Sequence, residues 1–131
     1  MESTHIIIDV LHLPRKFNEL GNATIYSLLD DTGYFKIRTQ VSEDKICEAL
    51  HTHPECVDDW LRYSEDKRSD AGWYFQRCDK GYRVGYFSSR GNDIKSTEYT
   101  DQVAACACFI KHEIEDIGQQ LGNDVSGQTI I

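Results

Sequence analysis

The segment CEALHTHPEC, residues 47 to 56, gathers two thiols and two imidazoles, from Cys47, His51, His53 and Cys56. Thiolate and imidazole are the donors zinc takes in structural sites. Two features weigh against a metal: Pro54 breaks the segment, and the spacing matches neither paired C-x-x-C knuckles nor a helical His-x-x-x-His pair. The segment is therefore read as a solvated helix end with buried thiols, and neither a metal nor a cofactor is assigned. Cys106 and Cys108, two positions apart on a helix, point roughly 200° apart and cannot share a metal or act as a redox pair. A Cys-His nucleophile needs an activated thiol. The histidines His5, His12, His51, His53 and His112 are scattered, and no cysteine stands in an activating context. The expectation is a protein without catalytic residues.

Two other patterns lose their chemistry on inspection. GYRVGYF, residues 81 to 87, carries Gly81 and Gly85 in a strand context with no helix start behind them, so it is not a phosphate cradle. Gly81 finishes a turn and Gly85 permits close packing. Trp73, Tyr74, Tyr82, Arg83 and Tyr86 are types that stack on bases, but the net charge of -8 removes the basic footprint that phosphate requires.

What remains is the run WLRYSEDKRSDAGWYF, residues 60 to 75, where aromatic residues and charges crowd a helix-to-strand junction. Asp58 and Asp59 lie near the start of their helix, where its dipole favours them. Glu65 and Asp66 stand near the end, beside the negative pole, so local helix energetics disfavour them. Arg62, Lys67 and Arg68 are the neighbouring cations that can offset them. The acidic side of this helix and the turn after it, with Glu55, Asp58, Asp59, Arg62, Glu65, Asp66 and Asp70, is the candidate surface for a protein partner.

Positioning that surface is the task of the surrounding elements. The first third reads as short helices, with Ile7, Val10 and Leu11 on one face before Pro14 and with Phe17 and Leu20 continuing the apolar pattern to Gly21. Asn22 is a candidate N-cap for a segment burying Ile25, Leu28 and Leu29, Gly33 a left-handed stop, and residues 34 to 40 a short strand. Ser42 caps a helix that buries Ile46, Ala49 and Leu50, and after His53-Pro54 a second helix runs to Asp66 with Val57, Trp60, Leu61 and Ser64 inward. Past Gly72 the period becomes two. Strands 73–76 and 82–87 meet across Asp79-Lys80-Gly81, and a third, more polar strand from Ile94 to Tyr99 follows a turn at 88–93 and forms an edge. Thr100 is read as the N-cap of a last helix whose stripe is Val103, Ala107, Ile110, Ile114, Ile117 and Leu121, ending at Gly122-Asn123. Trp60, Trp73 and Ile110 are read as core.

The fold class expected is α+β: a helical N-terminal half, a three-stranded antiparallel meander and a C-terminal helix packed on the sheet. Residues 1–122 form one globular domain and 123–131 a flexible tail. A chain of 131 residues with 40% hydrophobic and 27% charged residues is long enough for a real core without staples. Five cysteines without paired spacing, no spanning apolar run and no signal-peptide layout point to reduced thiols and a cytoplasmic setting away from membranes. Charge is uneven: residues 41–70 hold nine acids and four bases, 71–100 three and five, and 101–131 five and one.

The run at 60–75, followed by GYRVGYFSSRG and by the helix DQVAACACFIKHEI, resembles small immunity proteins of bacterial polymorphic toxin and contact-dependent growth inhibition systems. The resemblance covers roughly residues 42 to 117, rests on the W-x-x-aromatic-SED-x-R core and the strand-to-helix ending, and leaves out the first forty residues. It implies a non-enzymatic inhibitor that occludes one cognate toxin C-terminal domain, basic and often a nuclease. An acidic inhibitor suits such a surface. The alternative is a protein-protein adaptor domain without a toxin partner, with a small enzyme third.

Overall fold

The computed structural model describes residues 2–21, 24–66, 71–88 and 95–130, with side chains described over 4–21, 24–66, 72–87 and 96–119. The chain forms α1 (Glu2–Leu11), α2 (Leu13–Leu20), α3 (Ile25–Asp31), α4 (Tyr34–Ile37), a 3₁₀ turn (Arg38–Gln40), α5 (Glu43–Thr52) and α6 (Glu55–Asp66). Three strands follow, β1 (Ala71–Cys78), β2 (Gly81–Ser88) and β3 (Lys95–Tyr99), and then α7 (Gln102–Ile130). This is the α+β arrangement expected: a helical first half, an antiparallel sheet in the order β1-β2-β3, and a C-terminal helix packed on it.

Alternation fixes the sheet's inner face. Trp73 pairs with Tyr86, Phe75 with Val84 and Tyr82 with Tyr99, so these side chains share one face, and Phe75 stacks on Phe109 of α7 with ring centroids 5.8 Å apart. The hairpin has Asp79 and Lys80 at its tip. Gly81 follows because a Cβ there would stand 2.1 Å from the Tyr99 carbonyl oxygen, a position no side chain can share. β2 is central, so β1 and β3 are both edges. Ser64 of α6 accepts a hydrogen bond from the Phe75 amide at 2.8 Å, which satisfies a backbone donor on the β1 edge.

α7 departs most from expectation. One apolar stripe was foreseen, whereas every residue from Ala105 to Ile110 is buried, including Cys106, Cys108 and Phe109. The sheet covers one side of the helix, and α3, α5 and α6 cover the others. A helix buried all round is no longer amphipathic, and its small residues let both layers approach closely. Its cap is Asp101, not Thr100: the Asp101 carboxylate accepts from the Val103 amide at 3.0 Å. Nor does it stop at Gly122-Asn123. The helix continues to Ile130 through the stretch read as a loose tail. A glycine inside a helix costs only about 1 kcal/mol and ends one only by turning left-handed.

The N-terminal layer holds two further corrections. Residues 34–40 are helical, with Tyr34 fully buried, because this segment docks on α7 and finds no strand partner. Asn22 lies outside the described residues; the cap of α3 is Thr24, whose hydroxyl accepts from Ser27 at 3.1 Å. Gly33, at φ 89°, ends that helix in the left-handed conformation, and Ser42 caps α5. In α2 only Leu13 and Pro14 are buried, so Phe17 and Leu20 face outward despite their spacing.

Trp60 is buried completely and donates to the Leu11 carbonyl at 3.0 Å, tying α6 to the end of α1. Its ring meets Tyr63 and Phe109 edge-on. Ile110 is fully buried too, whereas Trp73 is only partly so and stacks on His112 at 4.0 Å. Glu113 is buried and accepts from the Tyr63 hydroxyl at 2.6 Å. Burial pushes the Tyr63 hydroxyl pKa up, and the Glu113 charge adds to it.

A polar clasp fastens the 34–40 segment to α7. Glu115 accepts from the Tyr34 hydroxyl and from Arg38 at 2.8 Å, while Lys111 donates to the Tyr34 oxygen at 2.8 Å and to the Arg38 carbonyl at 3.2 Å. Burial raises the Glu115 pKa, but the Tyr34 hydrogen bond, Lys111 and Arg38 outweigh it, leaving the carboxyl below the usual carboxylate range. A depressed carboxylate contributes stability that is complete above its unfolded pKa of about 4.3 and is lost as pH falls through the lower folded value. In urea melts, wild-type stability is expected to fall more steeply than that of Glu115→Gln as pH drops from about 5 to about 3. Equal slopes would show that the clasp does not favour the charged form of Glu115.

Candidate functional site

The amphipathic spacing of α6 decides which of its side chains reach solvent. Cys56, Val57, Trp60 and Leu61 are buried, and the helix carries Glu55 and Asp58 in its first turn and no base in its last. The acids therefore differ in their surroundings from one end to the other.

At the first end they are paired. Glu55 lies 3.6 Å from the His53 ring nitrogen. Its own backbone amide, followed by His53 and His12, holds its carboxyl below the usual range. Asp58 meets Arg77 of β1 at 3.2 Å, with both side chains about two-thirds exposed. Asp59 is turned inward, its side chain only 17% exposed, and pairs with Arg15 of α2 at 3.1 Å. It holds α2 against α6 and does not belong to the open face on which the helical wheel placed it.

At the second end the acids stand apart. Arg62, Glu65 and Asp66 are exposed, and among the described residues neither Glu65 nor Asp66 has an ion-pair partner. Asp70 lies outside the described residues. Asp58, Leu61, Arg62, Glu65 and Arg77 line an open groove of about 290 Å³ between α6 and β1, with Leu61 as its apolar element. The groove thus brings together Asp58, Arg62 and Glu65 of the candidate set; Asp66 follows Glu65 at the exposed helix end, Glu55 lies at the far end, and Asp59 is turned inward. Arg77 and Arg15 were missed because no local spacing links either to α6; only the pairing of β1 and the α1–α2 corner bring them there.

Other constellations are less open. A second cavity of about 530 Å³ lies beside the hairpin, lined by Cys78, Asp79, Lys80, Arg83, Glu98, Tyr99 and Thr100, but its Arg83 and Glu98 neutralise each other at 3.3 Å. Cys47 Sγ lies 3.8 Å from His51 Nε2. Burial pushes the Cys56 thiol up to about 11, Cys106 well above the usual value and Cys47 upward, which works against thiolate chemistry at all three. Two groups of mixed donors occur among the described residues, His12 with His53 and Glu55, and Glu43 with Cys108 and His112.

No protein-family model, curated protein or solved structure matches the chain. No helix among the described residues is long and apolar enough to cross a membrane.

The position of Glu65 and Asp66 has a measurable consequence. Two carboxylates at the negative pole of a helix work against it, so Glu65→Lys with Asp66→Lys is expected to stabilise the fold by about 0.3 to 1 kcal/mol per site in a denaturant melt. A loss of stability would show that these carboxylates serve the fold.

Proposed function

We propose that this protein is a stoichiometric inhibitor of the immunity-protein kind, which binds a basic toxin domain and occludes it without turnover. The observation that carries this reading is the pair of exposed carboxylates, Glu65 and Asp66, at the helix end where they are least favourable for folding. The other acids of α6 have structural partners in His53, Arg77 and Arg15; these two do not among the described residues. A net charge of -8 and the resemblance of residues 42–117 to immunity proteins support the same reading.

Long-range attraction between an acidic inhibitor and a basic, phosphate-holding surface raises the rate of encounter, and salt screens it. The groove beside Leu61 and Arg62 then supplies a desolvated contact that slows release. α6 suits this task because Trp60 and Ser64 fix its inner side to α1 and β1, so docking requires no reordering of the helix.

The test looks for a toxin C-terminal domain encoded beside this gene and uses it as the binding partner. Association measured by stopped flow is expected to slow about tenfold or more at low salt in the Glu65→Lys, Asp66→Lys protein, and the wild-type rate is expected to fall as salt rises. Unchanged association by the folded variant would move the docking surface away from α6, to the outer sheet face around Arg83. An unrelated neighbouring gene, with no toxin domain bound, would favour the adaptor reading.

A further inference from the structure

His12, His53 and Glu55 come from two places in the chain: the corner between α1 and α2, and the junction between α5 and α6, where His53 and Glu55 flank Pro54. One donor atom from each lies within 4.8 Å of the other two, and His53 Nδ1 is 3.6 Å from a Glu55 carboxylate oxygen. The two imidazole rings stand nearly perpendicular, at 78° with centroids 5.8 Å apart, so they are not stacked. From these contacts we infer that His12, His53 and Glu55 form a binding site for one divalent transition-metal ion of the zinc class.

Four arguments support the assignment. The first is the orientation of His12: its Nδ1 lies 2.9 Å from the Ile8 carbonyl oxygen, which can only accept, so Nδ1 is the donor there and Nε2 is the ring nitrogen left for a ligand. A ring nitrogen donating to a backbone carbonyl while the other stays unprotonated is the outer-shell arrangement of metal-bound histidine. The second is geometric. Ligands about 2.0 to 2.1 Å from a tetrahedral zinc stand about 3.3 to 3.5 Å from each other, so the His53–Glu55 pair is already near that separation and the set closes by side-chain rotation. The third is chemical: two imidazoles and one carboxylate suit zinc and its neighbours, whereas magnesium and calcium prefer all-oxygen sites.

The fourth is mechanical. Leu11 and Leu13, on either side of His12, are fully buried, and Trp60 Nε1 holds the Leu11 carbonyl at 3.0 Å. The Arg15–Asp59 pair fastens α2 to α6 beside it. Backbone on both sides of the site is thus fixed before a metal arrives. His53 and Glu55 remain partly or largely exposed, which leaves the remaining coordination position open to water or to a donor from another molecule.

The other donor group is already engaged. His112 stacks flat against Trp73 at 4.0 Å, and Cys108 is buried in α7. Spacing alone concealed the His12 set, since His12 is far from the Cys47–Cys56 segment in sequence. The site is also separate from Glu65 and Asp66, which lie about 15 Å away along α6 at 1.5 Å per residue.

Zinc chloride titrated into chelator-stripped protein under a non-thiol reductant, followed by calorimetry and native mass spectrometry, tests the site. The expected result is one zinc per chain, a melting temperature raised by several degrees under saturating zinc, and affinity reduced at least tenfold in both His53→Asn and Glu55→Gln. Both substitutions lie at the surface and spare the core. Cobalt in place of zinc is expected to show no thiolate charge-transfer band. Absence of stoichiometric binding at millimolar zinc would overturn the inference. So would a thiolate band, or binding unchanged by His53→Asn and abolished by His112→Ala or Cys47→Ser.

Discussion

Complete burial of α7 through Ala105–Ile110 is the constraint on which the remaining architecture depends. A helix covered on every side cannot spend any face on solvent, so the sheet and the N-terminal helices must both bury apolar surface against it. Ala105, Cys106, Ala107 and Cys108 are small enough for both layers to approach. Phe109 then fills the space between Phe75 on the sheet and Trp60 on α6. Three polar groups of α7 are answered from other elements: Glu113 by Tyr63, and Lys111 and Glu115 by Tyr34 and Arg38. Tyr34 and Arg38 thereby tie the segment 34–40 to the same packed unit as α7.

α6 takes its character from that arrangement. Its inner side is held by Trp60 to the Leu11 carbonyl and by Ser64 to the β1 edge, and its first half is further fixed by the Asp58–Arg77 and Asp59–Arg15 pairs. Charge is then distributed by position. At the start of the helix, acids coincide with the favourable dipole and with basic neighbours; at its end, Glu65 and Asp66 oppose the dipole. Among the described residues no ion pair answers these two carboxylates. The same rigidity sets His12 against His53 and Glu55 at the opposite end, so one helix presents an anionic end and a metal-competent end on a common frame.

Much of this was legible because it is local. The caps at Ser42 and Gly33, the stop before Pro54, and the shift from helical to alternating period at Gly72 are each decided by a few neighbouring residues, and the structure places them as read. The errors came where tertiary contact overrides local pattern. YFKIRTQ has strand-like residues, but Tyr34 is buried against α7, and Lys111 and Glu115 hold the segment helical. A stripe along 103–121 was legible, yet burial of Cys106, Cys108 and Phe109 required knowing that a second layer lay behind the helix. For the candidate site, the acidic face was visible on a wheel, but the inward turn of Asp59 and the Arg77 pairing with Asp58 depend on topology. In the His12 set, His53 and Glu55 are near neighbours, but no spacing rule connects His12 to them.

Native-state hydrogen exchange reads the central claim residue by residue. If α7 is the element on which the others depend, the amides of Ala105–Ile110 exchange only through global unfolding, and their opening free energy equals that from denaturant melts. The amides of α2 and β3, which lie at the periphery, then exchange through smaller openings. Exchange of Ala105–Ile110 at a lower opening free energy than the amides of Val57–Leu61 or of β1 would contradict the account, since it would mean that the sheet and α6 hold together without α7 between them.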